Sequence, residues 1–265
     1  MKIKVHKKTS LDADKMRSAA KLSTQILKQI YDATRIGVSP SELNTLAGEL
    51  CAQNGVKPAF KDVLNPRGEV FGGNICISVN EAVLHGTPFS KAPLADGDVV
   101  KLDFGIILDG HYTDQCVTLG LGNISEADKA LIATGKMAVQ AGLKQVQPGR
   151  HTGDAGHAIQ TIAEMAGFNV LKEYIGHGIG KSLWEEPEIP AYGNPGMGQE
   201  FEPGMVVCIE AQVVSGDGET FVDEDDWTVV TVDGSKGVMF EYMVLVTETG
   251  SEVLTSNLDW EIFSP

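Results

Sequence analysis

Residues 98–114, DVVKLDFGIILDGHYTD, constrain this chain more than any other stretch. They set one acid inside an apolar strand and return a second acid beside it. Val99, Val100, Leu102 and Phe104 surround Lys101 and Asp103 in a run that reads as a mostly buried strand. Asp109-Gly110 is a two-residue hairpin signal, so a return strand is expected to carry Asp114 back across the sheet towards Asp103. A buried carboxylate without a partner is costly, and two side by side are worse because like charges repel. A structural ion pair or a solvated sheet edge would relieve the conflict, and so would a metal ion. The choice turns on whether the rest of the chain supplies further ligands.

The remaining elements fall into two similar halves. A helix is expected from Leu11 to about Thr34, with Met16, Ala19, Ala20, Ser23, Ile26, Leu27, Ile30 and Ala33 on its apolar face. A second helix opens on a capping box, with Ser39 as N-cap, Pro40 at the first position and Glu42 at the third, and ends at Asn54-Gly55. Its buried stripe is Leu43, Leu46, Ala47, Leu50 and Cys51. A Gly/Pro-rich loop over 57–74, a strand over 75–80 and a turn over 80–88 lead into the acidic hairpin and a strand to about Gly120. The pattern then restarts. Ser125 caps a helix to about Val146, with Ala130, Leu131, Thr134, Met137, Ala138 and Ala141 as its apolar face. Another helix runs from Thr152 with Ala155, Ala158, Ile159, Ile162, Ala163 and Ala166 buried, and closes at Gly167. A strand follows Pro203-Gly204. LADGDVVKLDFG resembles FEPGMVVCIEAQV, which sets Glu210 where Asp103 stands and indicates an internal duplication.

Glu241, in GVMFEYMVLVT, is a further strand-borne acid and parallels Asp114. His177, between glycines in YIGHGIG, adds one imidazole. Singly, each acid reads as an exposed face residue and His177 as a satisfied core histidine. Together, Asp103, Asp114, His177, Glu210 and Glu241 form a hard, oxygen-rich ligand set. Such a set disfavours a lone structural zinc and favours two divalent ions, Mn, Fe or Co, with Zn less natural. Two metals ~3.5–4 Å apart lower the pKa of a bridging water towards ~7 and polarise a carbonyl, which is the chemistry of amide hydrolysis.

Composition excludes several alternatives. A formal charge of −15 opposes nucleic acid as a partner. Cys51, Cys76, Cys116 and Cys208 form no CxxC pair and read as buried thiols in a reducing compartment. The basic start MKIKVHKKTS has no apolar stretch after it, and no span reaches the ~18–20 apolar residues of a membrane helix, so a cytoplasmic location is expected. Lys2 after Met1 predicts that the initiator Met is retained. GHGIG lacks the context of a dinucleotide loop, and Glu185-Glu186 read as a solvated loop pair.

The ligand order Asp103, Asp114, His177, Glu210, Glu241 resembles that of the pita-bread metallopeptidases, and the chain from about Leu11 to Thr255 resembles the type I methionine aminopeptidases. ISVNEAVLHGTP, LADGDVVKLDFG, GHGIG with its EEP, FEPGMVVCIE and DDWTVVTVDGS carry the resemblance. The lack of a long insertion in the second half and of an extension before Leu11 is similar to the short bacterial form. The implied fold is α/β (α+β): a curved, mainly antiparallel sheet with pseudo-twofold duplication and helices on its outer face. It would form a single catalytic domain over 1–265, with halves of about 11–122 and 125–255. The implied activity is metal-dependent removal of the N-terminal methionine from nascent proteins and peptides by attack of a dimetal-bound hydroxide on the first peptide carbonyl, in a cytoplasmic monomer.

The resemblance also implies roles. Asp103 and Asp114 would hold one metal, His177 and Glu210 the other, with Asp114 and Glu241 bridging. Glu210 would move the proton of the attacking water, and His85 would sit over the scissile bond. Trp227, Phe60 and Phe71 would wall the methionine pocket. Three positions depart from the family. Trp184 stands where a second histidine is usual, Ala211 replaces a proline, and Met239 stands where Gln is common. An indole N–H donates but neither accepts nor carries a proton, so weaker activity, altered preference or a rearranged pocket is expected. An X-Pro aminopeptidase or dipeptidase of the same fold, or a non-catalytic binding protein, are the rival readings.

Overall fold

The computed structural model describes residues 6–264, so Met1 and the first part of the basic stretch lie outside it. The first half contains α1 (Ser10–Ala33), α2 (Pro40–Gln53), β1 (Lys57–Pro58), β2 (Cys76–Val79), β3 (Ala82–Leu84), β4 (Val99–Asp103), β5 (Ile106–Leu108), β6 (His111–Tyr112) and β7 (Cys116–Leu121). The second half contains α3 (Glu126–Leu143), α4 (Thr152–Met165), β8 (Asn169–Val170), β9 (Gly176–Gly178), β10 (Glu185–Ile189), β11 (Val206–Val214), β12 (Thr220–Val222), β13 (Val229–Thr231), β14 (Gly237–Val246), β15 (Ser251–Val253) and β16 (Phe263–Ser264).

Helix starts follow local chemistry. Ser39 accepts a bond from Glu42 N while Ser39 N donates to the Glu42 carboxylate at 2.8 Å, closing the expected capping box. Ser125 accepts from Asp128 N at 3.1 Å, and Thr9 accepts from Asp12 N at 3.1 Å.

The main sheet runs β10-β9-β11-β14-β7-β4-β2, with every pairing along that path antiparallel. Its centre reads alike from either side: β14 and β7 meet in the middle, flanked by β11 and β4. Strand alternation sorts the side chains. Val100 and Leu102 on β4, Ile209, Ala211 and Val213 on β11, and Phe240, Tyr242 and Val244 on β14 join the core shared with the helices. The intervening residues, Asp103, Cys208, Glu210, Gln212 and Glu241, stand on the opposite face and are also buried. A curved sheet with one face covered by helices can therefore collect polar groups on the other.

Several local expectations are corrected. The Asp109-Gly110 hairpin exists as β5–β6, but it leaves the main sheet to pair with β1. The main-sheet return strand begins at Cys116, opposite Asp103, and Asp114 lies just before it. The segment over 80–88 holds a strand, β3, whose partner β13 is distant in sequence. The 57–74 loop contains β1 and a Leu64–Val70 bridge. Helix α3 ends at Leu143, and Met137 and Ala130 are exposed. Its buried face adds Ile132, Gly135, Val139 and Gly142. In an Ala/Gly-rich helix the closest approach to the sheet is made by glycine, as where Gly135 meets Val238, so apolarity alone misplaces the face. Ala166 is exposed because α4 has already ended at Met165.

Gly105 sits where the chain turns from β4 into the small sheet, and a Cβ there would lie 2.0 Å from the Thr113 carbonyl oxygen. Gly105→Ala is expected to destabilise by ~1–3 kcal/mol, because the backbone between Asp103 and Asp114 must shift. Denaturant melts of both proteins check this.

Candidate active site and metal centre

The inner face of the sheet delivers four carboxylates to one place. Glu210 and Glu241 are directly opposed across β11–β14, Glu241 opposes Cys116 across β14–β7, and Cys116 opposes Asp103 across β7–β4. Oxygen atoms of Asp103, Asp114 and Glu241 lie within 4.8 Å of one another. His177 on β9 completes the cluster, its Nε2 3.8 Å from Asp114 Oδ2 and 4.0 Å from Glu241 Oε1. Among the described residues, His177 is the only basic side chain within 4.0 Å of these acids. Lys101, although buried close by, turns its Nζ to the carbonyl oxygens of Asn80 (2.9 Å) and Val99 (3.4 Å). An internal ion pair therefore does not neutralise the site.

The electrostatics are those of a site built for cations. Burial first, and repulsion by the other acids next, push Asp114 and Glu241 well above the usual carboxylate range. Burial raises Asp103 to about 7, and burial with the nearby Asp103 charge raises Glu210 to about 8. Asp103 Oδ1, Asp114 Oδ1 and Glu241 Oε1 are buried with no hydrogen-bond partner. The His177 Nδ1 lies 2.9 Å from the Gly178 carbonyl, which can only accept, so Nδ1 carries the proton and the Nε2 lone pair faces the carboxylates. Desolvation lowers His177 to about 4, which keeps it neutral and able to ligate. A lone pair aimed at orphaned carboxylate oxygens is reconciled by divalent ions between them. The residues fit such ions.

These groups lie at the floor of a cavity of about 480 Å³. The candidate ligand, catalytic and substrate-pocket residues line it: His85, Asp103, Asp114, His177, Glu210 and Glu241, together with Phe60, Phe71, Trp184 and Trp227. Phe71 and Trp227 meet edge-on at 5.1 Å and form one wall. His85, at a positive φ of 54°, stacks edge-on against Tyr174 at 5.7 Å and is lowered to about 4 by burial. Trp184 is 56% exposed at the rim. Glu185 is not a free solvated acid: it is bonded by Lys8 Nζ and by the backbone N–H groups of Lys181 and Ser182.

Sequence reading missed Tyr174, Cys208 and Gln212. Tyr174 reaches His85 only through the tertiary fold and carried no local signal. Cys208 and Gln212 lie two residues either side of Glu210, so strand alternation alone could have set them on its face. Gln212 donates from its amide to the Glu210 carboxylate, while a second set of donor atoms, from His177, Cys208 and Glu241, converges within 4.8 Å.

The raised acids fix the sign of a pH effect. In metal-free protein they favour the protonated form when folded, so their contribution is fully present below about pH 4. It is lost as pH rises through about 7 to 8, where Asp103 and Glu210 ionise. The melting temperature of chelator-treated protein is expected to fall between pH 5 and pH 8. Mn or Co at ~100 times its Kd should restore ~2.7 kcal/mol at the higher pH. Asp103→Asn should flatten the pH dependence.

Comparison with known proteins places the chain. It is 39% identical to methionine aminopeptidase 1 of Bacillus subtilis over 94% of its own length and 98% of that protein. It is 37% identical to methionine aminopeptidase of Rickettsia prowazekii, over 96% of each chain. The crystal structure of methionine aminopeptidase from Thermotoga maritima superposes with a TM-score of 0.90 at 38% identity, covering 95% of this chain and 99% of that one. Prolidase from Pyrococcus furiosus, at 21% identity and a TM-score of 0.76, shares the fold. The metallopeptidase family M24 model matches residues 14–248, a span that holds every converging acid and His177, and the chain belongs to that family.

Proposed function

We propose that this chain is a metal-dependent aminopeptidase that removes the N-terminal methionine from nascent proteins and peptides. The observation that carries the reading is the convergence of Asp103, Asp114, Glu241 and the His177 Nε2 lone pair at the floor of an apolar-walled cavity. The near-full-length relatives at 36–39% identity named methionine aminopeptidase support the same substrate, whereas the prolidases share only the fold. One catalytic domain over 1–265 with halves of about 11–122 and 125–255 is part of this reading. So are a cytoplasmic location, which four buried free cysteines suit, and action as a monomer.

Asp103 and Asp114 would hold one divalent ion and His177 and Glu210 the other, with Asp114 and Glu241 shared; Co, Mn or Fe suits the oxygen donors, and Zn is also compatible. When bound, the ions supply Lewis-acid activation of water and of the scissile carbonyl. The protein residues do the rest. Glu210, raised by burial, accepts the proton of the attacking water and returns it to the departing amine, and Gln212 holds its carboxylate in place for both transfers. His85 is neutral and donates towards the oxygen that gains charge at the scissile carbonyl, while Tyr174 fixes its ring. Phe60, Phe71 and Trp227 enclose the methionine side chain and exclude water. A small second residue is preferred.

Amino-acid release from Met-Ala-Ser and Ala-Pro-Ala by chelator-stripped protein reloaded with Mn or Co tests this. Methionine from the first peptide alone, and only with metal, is expected; cleavage of the second instead would move the chain to the X-Pro branch. Glu210→Gln and His85→Ala should each lower kcat by ~10²–10⁴-fold, read in the same assay with KM determined separately. Trp184→His restores a side chain that can accept as well as donate, and should raise kcat/KM by ~1 kcal/mol, about fivefold, if one neutral hydrogen bond to substrate is regained.

A further inference from the structure

The inner face of β11 carries a thiol that the metal reading has not used. Cys208 lies two residues before Glu210, so its side chain points into the same concavity, and it is fully buried. Its register partner across β9 is His177 itself. The Sγ of Cys208, a ring nitrogen of His177 and a carboxylate oxygen of Glu241 all lie within 4.8 Å of one another, close enough for one ion to span. Glu210, by contrast, is engaged by the Gln212 amide.

We propose that Cys208 is a ligand of the metal ion held by His177, making the two sites chemically unlike. This rests on the dimetal reading. Asp103, Asp114 and Glu241 form an all-oxygen site, while His177, Cys208 and Glu241 form a mixed nitrogen, sulfur and oxygen site. Binding replaces the Sγ–H bond with one Sγ–metal bond and releases one proton to solvent, with no change of oxidation state. Thiolate is a soft donor, so the mixed site favours Co, Fe or Zn over Mn, and zinc is at home there in a way an all-carboxylate set does not allow. With Cys208 added to that ion's donors, Glu210 is freer to move protons.

Anaerobic titration of the stripped full-length chain with Co(II), followed by near-ultraviolet absorption and by calorimetry, tests this. The expected result is a thiolate-to-cobalt charge-transfer band that grows with bound metal and vanishes in Cys208→Ser. The band should persist in Cys76→Ser, a control at the thiol that lines the cavity. Removing even a residue that supports a metal ligand costs roughly 10–100-fold in affinity, so Cys208→Ser should weaken cobalt by at least tenfold and manganese by much less. Cobalt binding with no such band in wild-type protein overturns the thiol assignment and leaves the dimetal reading standing. A band lost in Cys76→Ser and kept in Cys208→Ser also overturns it. Failure to bind cobalt at all overturns both. Absence of the band from wild-type protein overturns the assignment even if a variant folds poorly.

Discussion

Mutual repulsion among four carboxylates in a buried concavity is the constraint on which the rest of this structure depends. Asp103, Asp114, Glu210 and Glu241 are each less than a tenth exposed, and among the described residues no lysine or arginine reaches them. Folding must hold them together against desolvation and against one another. The cohesion comes from the opposite side of the same strands. Every residue of β4, β7, β11 and β14 is buried, and the face away from the acids locks into the helices through Leu102, Leu119, Ile209 and Phe240. Repulsion on one face is offset by apolar burial on the other, and divalent ions held between the acids would turn the repulsion into attraction.

The near-symmetry of the sheet serves the same end. With β14 beside β7 at the middle, and β11 and β4 outside them, acids at matching positions of two similar halves face a shared centre. Glu210 and Glu241 are direct register partners, an arrangement that would be unfavourable in an ordinary sheet. The surrounding thiols extend the pattern. Cys76 and Cys116 both oppose Asp103, and Cys208 opposes His177. Cys76 and Cys116, small and weakly polar, fill the space beside Asp103 without supplying a competing charge.

Legibility in the sequence tracked how local each cause was. The Ser39 capping box and the Ser125 cap act within one turn of helix, and both were readable. The matching of LADGDVVKLDFG with FEPGMVVCIEAQV put Asp103 and Glu210 at equivalent places because a strand shows its alternation in any four or five residues. The face of α3 was misread because Met137 advertises hydrophobicity while Gly135 and Gly142 make the close contacts. Strand β3 was missed because its hydrogen-bond partner, β13, comes from the far end of the chain. The departure of β5–β6 from the main sheet depends on β1, which no hairpin signal announces.

By itself, then, the sequence determined the donor types, the strands that carry them and the class of chemistry they allow, since residue identity and period-two alternation are written along the chain. Only the tertiary structure decided which atoms meet: that the His177 lone pair faces Asp114 and Glu241, that Glu210 turns to Gln212, that Cys208 comes within a metal's reach, and that Tyr174 steadies His85. Those contacts join strands and loops far apart in sequence. They rest on register and side-chain direction, which packing across the whole sheet sets and no local pattern encodes.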